Sequence, residues 1–417
     1  MKKKASITFE TARKAKLASY DFQKRSALDR KKALKALSEN ILSNIDLIIK
    51  NNKKDLANAR KIKLSDSMID RLLLNSPRIS AMAEGVLAIA NQNEVVGEIT
   101  SQFQHENGML IKKQRIPLGV IGMIFESRPN VVIDCAALAI KSGNAILLKG
   151  GSEAQYTNAC LAKITQESIS QFIPKEVVQL IAKREQVKEL LALKQFIDVM
   201  IPRGGEKLIQ YVCDHAKMPV IAHFKGLCHG YIHSDANLEN AISICMNAKV
   251  QRPGVCNAME TLLLHKDLPT TFTNKLFLAL QNEKVELRVN KPLLKITKGL
   301  KLANDLDWQT EYLDKILSVR QVKNLDEAIS HIQKYGTRHT EFICTESTDA
   351  AQKFVNQIDA SCVLVNASSR FNDGGVLGLG AEIGISTSKI HAYGPMGAKE
   401  LTIERYVIEG QGQIRSS

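Results

Sequence analysis

The chain has 417 residues, 57 Lys and Arg against 43 Asp and Glu for a net charge of +14, and 44% hydrophobic residues. That is too long for one ordinary core, so two or three soluble lobes are expected. The composition excludes a membrane-spanning protein, because the longest uncharged apolar run, near 116–125, is far shorter than a span. It also argues against a disulfide framework or zinc site, because the eight cysteines include no Cys-x-x-Cys pair. The start Met1-Lys2-Lys3-Lys4 is followed by Ser6, Thr8, Glu10 and Arg13, where a secretory signal needs an apolar core, so a cytoplasmic protein is expected. Much of the excess charge is lysine over 2–63, spaced as the outer face of helices with few aromatics between. A solvated face fits that pattern better than nucleic-acid binding, and the same charge attracts nucleotides and acyl phosphates. A basic nucleotide- or nucleic-acid-binding protein is the alternative from another class, and its binding would depend steeply on salt.

Residues 9–61 read as two or three amphipathic helices, with Leu34, Leu37, Ile41, Ile45 and Ile48 at helical spacing. Over 94–115 the pattern changes to alternation around Asn107-Gly108, a hairpin signal. A hairpin without a core of its own is expected to pack on another subunit. From Pro117 strands over 118–125, 145–148, 177–181, 196–201 and 219–223 alternate with helices over 131–141, 153–168, 185–193 and 206–215. This is the rhythm of a doubly wound parallel sheet. No Gly-x-Gly-x-x-Gly occurs, but the turns Lys149-Gly150-Gly151-Ser152 and Arg203-Gly204-Gly205 can cradle phosphates with backbone N–H groups. Either turn is also an ordinary strand-to-helix connection.

A second α/β set follows Tyr231, with a helix over 238–249, strands over 259–265, 316–322, 341–344 and 362–366, and helices over 326–335 and 348–357. Pro253 and Gly254 end the first of these helices and leave Cys256 on a loop, where reactive side chains are usually mounted. Lys249 and Arg252 lie within one or two turns, and their charge is expected to lower the thiol pKa. A buried core thiol is the competing reading. The cleft between the lobes is the expected place for chemistry, bordered by the glycine-rich stretch 374–384. Residues 402–408 alternate as a last strand, expected to extend the hairpin sheet of a partner.

Several segments carry a resemblance: Ile116-Pro117-Leu118-Gly119-Val120-Ile121-Gly122, Glu126-Ser127-Arg128-Pro129-Asn130-Val131, Lys149-Gly150-Gly151-Ser152-Glu153-Ala154, Val255-Cys256-Asn257-Ala258-Met259-Glu260-Thr261, Asn366-Ala367-Ser368-Ser369-Arg370-Phe371, Gly378-Leu379-Gly380-Ala381-Glu382-Ile383-Gly384 and His391-Ala392-Tyr393-Gly394-Pro395. They resemble the γ-glutamyl phosphate reductase (glutamate-5-semialdehyde dehydrogenase) branch of the aldehyde dehydrogenase superfamily, over nearly the whole chain. The resemblance implies an aldehyde-dehydrogenase-like α/β fold of two doubly wound lobes plus an oligomerisation hairpin and strand. The division would be 1–225 for N-terminal helices and the NADP-binding domain with hairpin 94–115, 226–390 for the catalytic domain, and 391–417 for a C-terminal oligomerisation segment.

The implied reaction is NADPH-dependent reduction of L-glutamate 5-phosphate to L-glutamate 5-semialdehyde and phosphate, the second step of proline biosynthesis from glutamate. Cys256 would attack the acyl phosphate and form a thioester, which NADPH reduces. Asn130 resembles an oxyanion donor; it also reads as the N-cap of a helix starting at Val131. Lys149 and Glu153 resemble a ribose-binding pair, Gly204 and Gly205 the turn at the dinucleotide phosphates, and Glu311 the acid on the nicotinamide ribose, with a surface carboxylate as its alternative. Arg128 and Arg370 would meet the substrate's carboxylate and phosphate, with structural ion pairs as the alternative. No metal is implied. A homodimer or homotetramer is implied, with glutamate 5-kinase as a candidate partner. Two departures stand out. His223-Phe224-Lys225-Gly226 replaces the Glu-Leu-Gly-Gly whose carboxylate activates water in hydrolytic relatives, and Tyr393 stands where many relatives carry Arg. A coenzyme-A-linked acylating dehydrogenase is the alternative among enzymes.

Overall fold

The computed structural model describes residues 6–415; the basic start over 1–4 lies outside them. Three long helices, Ile7–Phe22, Ala27–Ser43 and Ile45–Lys61, open the chain. Ser6 caps the first by accepting from the Phe9 N–H at 3.0 Å, and Ser26 with Asp29 forms a capping box on the second. Leu34, Leu37, Ile41 and Ile48 are fully buried, so the helical stripe faces inward as its spacing requires.

The first lobe is a four-stranded parallel sheet in the order Val178–Leu180, Ala145–Lys149, Val120–Phe125, Val199–Arg203. Its central strands are buried on both faces, which is why they read as continuous apolar runs rather than as alternation. The strand expected over 219–223 is reduced to a single bridge, Met200 to Val220. The second lobe is a seven-stranded parallel sheet in the order Lys301–Leu302, Glu286–Val289, Ile316–Val322, Met259–His265, Cys228–Ile232, Thr340–Cys344, Cys362–Val365. Late in the chain Ile383, Ala392, Met396 and Leu401 return to the core of the first lobe.

That return corrects one expectation. Strand Thr402–Glu409 pairs antiparallel with Leu110–Pro117 of the same chain, Thr402 opposite Pro117 and Glu409 opposite Leu110. With Ile99–Gln104 it completes a three-stranded sheet. Its partner hairpin therefore belongs to its own chain, because the segment ending at Leu401 is packed in the first core beside Pro117. Among the described residues no helix is long and apolar enough to cross a membrane.

Candidate active site

The first sheet turns the C-terminal ends of its strands toward the second lobe, as ligand-binding parallel sheets do. Phe125 leads into Glu126-Ser127-Arg128 and Arg203 into Gly204-Gly205. The segment that leaves the first lobe brings His223 and Lys225, and the facing lobe brings Cys256 and Glu311. Together these residues line a cavity of about 700 Å³. A second cavity of about 310 Å³ shares Arg128, Val131 and Arg203 with it and adds Asn130, Asp134, Asp373 and Glu382. A third, of about 380 Å³, shares Met68, Glu126 and Ser127 and extends to Glu153.

The Cys256 loop is held from several sides. Lys249, near the end of helix Leu238–Val250, pairs at 2.7 Å with Glu260, near the start of strand Met259–His265, and both side chains are fully buried. The Cys228 thiol donates to the Cys256 carbonyl at 3.1 Å. Asn257 donates to the Asn372 carbonyl at 2.9 Å, and Ser369 donates to the Asn257 carbonyl at 2.7 Å. Gly226 packs against the nucleophile's backbone, so that a Cβ there would stand 2.8 Å from the Cys256 Cα and carbonyl carbon.

The charge around the thiol differs from expectation. Burial first, with Glu382 and Glu311 beside it and Arg203 opposing, pushes the half-buried Cys256 thiol up to about 11. Lys249 does not act as the activating cation, because its charge is committed to Glu260. His223 is pushed the other way, down to about 4, by burial and by Arg203. An imidazole and a thiol separated in this sense form no preformed thiolate–imidazolium pair, and both are neutral at pH 7.

Arg128 carries positive charge without a carboxylate: it is half-buried and makes no ion pair among the described residues. Burial and the neighbouring Arg203, Arg71 and Arg252 all press its pKa down. Arg370 lines none of these cavities. Its guanidinium donates to Asn257 Oδ1 and, at 2.8 Å, to Gln251 Oε1, so it braces the Cys256 loop from below. Asn130 is the first residue of helix Asn130–Lys141, with Pro129 at the cap, so it is no N-cap. Its amide donates to Asp134 Oδ2 at 2.8 Å, in the second cavity.

Both glycine turns hold carboxylates. The Gly205 N–H donates to Glu126 Oε1 at 3.0 Å, and a Cβ on Gly204 would stand 2.6 Å from the Glu126 carboxyl carbon. The second turn carries Glu153, whose Oε1 accepts from Ser127, while buried Lys149 donates to the Gly150 carbonyl. Glu311 is half-buried, accepts from the Gly226 N–H at 2.9 Å, and has its pKa raised by burial, so it is no surface carboxylate. Sequence reasoning missed Arg203, Glu126, Asp134 and Glu382. Each stands within or beside a quoted motif, but only the fold shows that they face one space.

The model of the aldehyde dehydrogenase family matches residues 2–297. The chain belongs to the aldehyde dehydrogenase family. It is 46% identical over 413 residues to a γ-glutamyl phosphate reductase of Desulfatibacillum aliphaticivorans, covering 98% of this chain and 99% of that one. It is 47% identical to the protein of the same name from Nautilia profundicola, covering 97% and 99%. A crystal structure of γ-glutamyl phosphate reductase from Thermotoga maritima superposes with a TM-score of 0.96 at 40% identity, over 99% of this chain and all of that one. The expected aldehyde-dehydrogenase-like α/β architecture is thus the observed one. As a member of this family, the chain presents an imidazole, His223, in the cavity of its candidate nucleophile.

Proposed function

We propose that this protein is a cytoplasmic, NADPH-dependent reductase that converts L-glutamate 5-phosphate to L-glutamate 5-semialdehyde and phosphate, in proline biosynthesis. The observation that carries the reading is the pairing, in one cavity, of a cysteine on a braced loop with Arg128, a half-buried arginine lacking a carboxylate. An acyl phosphate brings the anion that such an arginine lacks.

In this reading Arg128 holds the phosphate. The Cys256 sulfur attacks C5 as thiolate, the carbonyl electrons move to oxygen, and their return breaks the C–O bond to phosphate, leaving a thioester. Asn130 has one amide hydrogen on Asp134; its other hydrogen is the donor assigned to the oxyanion. Once the acyl carbon is at the aldehyde level, the C–S bond breaks and the thiol regains a proton, as a group with a pKa near 11 must at neutral pH. His223 offers no carboxylate to activate water, which protects the thioester from hydrolysis. Arg370 acts here by bracing Asn257 rather than by touching substrate.

The residues fit a nicotinamide dinucleotide, which when bound supplies the hydride. The Gly205 N–H donates to a carboxylate oxygen of Glu126, and the same kind of backbone donor at a helix start is what a diphosphate site requires. Lys149 and Glu153 would take the adenosine ribose, and Glu311 the ribose next to nicotinamide.

The test is the reverse reaction. NADP⁺ reduction with glutamate semialdehyde should depend on added inorganic phosphate, coenzyme A should not replace it, and Arg128→Ala should raise the phosphate requirement. Steady turnover in phosphate-free buffer, yielding free glutamate, would mean a hydrolytic dehydrogenase instead.

A further inference from the structure

Helix Glu206–His215 begins without a cap of its own, because Gly205 stands at the cap position and offers no side chain. The place is filled from another element: Glu126, which follows strand Val120–Phe125, accepts from the Gly205 N–H with its Oε1 at 3.0 Å. The same carboxylate lies against the bare backbone of Gly204, where a Cβ would stand 2.6 Å from its carboxyl carbon and 2.7 Å from Oε1. Neither glycine is required by its backbone angles, since both lie outside the left-handed region and Gly205 has an ordinary φ of −67°. What the two glycines permit is the close approach of an anionic group to a helix start.

Glu126 is held in that cradle lightly. The residue is exposed, and among the described residues its carboxylate makes no ion pair and has the Gly205 N–H as its one hydrogen-bond partner. An exposed carboxylate on a helix N-terminus is a weak contact, and another anion can replace it.

The cradle also stands in the middle of a path. Glu126, Ser127 and Met68 line both the cavity that holds Cys256 and the cavity that extends to Glu153. A dinucleotide with its nicotinamide near Cys256 and its adenosine ribose at Glu153 spans both, so its diphosphate comes to the shared wall, at Gly204 and Gly205. We propose that Glu126 is a displaceable stand-in for that diphosphate, a carboxylate that fills the cradle in the free enzyme and leaves it when the dinucleotide binds. This rests on the dinucleotide reading above. A lone phosphate has to evict the carboxylate with a single contact, whereas a dinucleotide is held by a ribose on either side while it does so. Glu126 thus screens the cradle against stray anions and weakens dinucleotide binding in return.

Titration of NADPH fluorescence tests this without turnover. Glu126→Ala should lower the Kd for NADPH about 3- to 10-fold, by removing both the occupant of the helix start and its repulsion of the diphosphate. Glu126→Gln, which keeps the shape and drops the charge, should also lower it. In competition with NADPH, ADP-ribose, which keeps the diphosphate bridge, should gain by the same factor in Glu126→Ala, and adenosine 2′-monophosphate, which lacks the bridge, should not. An equal gain for adenosine 2′-monophosphate would be the general effect of one negative charge less and would overturn the proposal. A wild-type enzyme that binds no NADPH overturns the dinucleotide reading and the displacement with it, whereas wild-type binding of NADPH that Glu126→Ala leaves unchanged or weakens overturns the displacement alone. Thermal unfolding of the ligand-free variants checks the fold: if neither variant folds, Glu126 is a fixed structural cap, and the proposal fails on that result too.

Discussion

Lys249 and Glu260 hold their charges 2.7 Å apart, fully buried, across the base of the loop that carries Cys256. The second Glu260 oxygen accepts from the Leu313 N–H at 3.1 Å. Leu313 is in the left-handed region, with φ of 53°, and stands two residues from Glu311. One carboxylate thus ties together the nucleophile's loop and the segment that brings Glu311 to the cleft.

The first prediction follows from that tie. Lys249→Met leaves a buried carboxylate unpaired and should cost about 3–5 kcal/mol in denaturant unfolding. The double variant Lys249→Met with Glu260→Leu should regain most of this stability, because two buried charges leave together. It should remain a poor enzyme with a raised KM for the dinucleotide, since Leu313 has lost its acceptor. A double variant as active as wild type would show that the pair serves stability alone.

A second prediction concerns the thiol. With a pKa near 11 the thiolate fraction of the free enzyme rises with pH all the way through the neutral range. Alkylation of Cys256 should therefore accelerate about tenfold per pH unit from 7 to 10, without a plateau. Cys256→Ser should abolish both this labelling and turnover while the fold persists, because a hydroxyl without a base is a far poorer nucleophile. A plateau below pH 8 would mean that a cation the structure does not pair with the thiol activates it.

How much of this could be read beforehand depends on which force set each feature. The helices at the start and the alternation of strands with helices were legible, because burial gives helices a period of 3.6 and gives strands covered on both faces short continuous apolar runs. The Cys256 loop was legible too, since Pro253 and Gly254 stop a helix by local sterics. Lys249 misled, because nearness along the chain says nothing of a partner eleven residues on that takes up its charge. Asn130 misled as a cap, because Pro129 already occupies that position. The own-chain pairing of Thr402–Glu409 was hidden because strand partners are set by where the preceding segment packs, a long-range matter. Asp134 stands beside one quoted motif and Glu382 within another, but each becomes conspicuous only when the fold sets it on the wall of one cavity.

Gly226 supplies a third prediction. Its role is close approach rather than a left-handed turn, since a Cβ would press on the Cys256 backbone. Neither backbone can yield without moving the sulfur, so Gly226→Ala should reduce kcat/KM by two orders of magnitude or more, as small misplacements of reacting groups do. The stability loss should be only about 1–3 kcal/mol, the range for overpacking. Thermal unfolding and steady-state kinetics on the same preparation separate the two, and near-normal kinetics would show that the loop shifts without consequence.

The last prediction is assembly. In the three-stranded sheet Phe103 faces Ile111, and Ile111 faces Ile408 on its other side, so the three share one face. Tyr406, two residues before Ile408, lies on the same face, and Phe103, Tyr406 and Ile408 are 56%, 65% and 57% exposed. Both outer strands, Ile99–Gln104 and Thr402–Glu409, also have an unpaired edge. An apolar row on a sheet with open edges invites another chain, and a stable interface needs roughly 1,000 Å² or more of buried surface. Sedimentation velocity at micromolar concentration should therefore find a dimer or tetramer. Ile408→Asp with Tyr406→Asp, which touches neither core, should shift it toward monomer. A wild-type monomer with full activity would remove the reason for assigning this sheet to an interface.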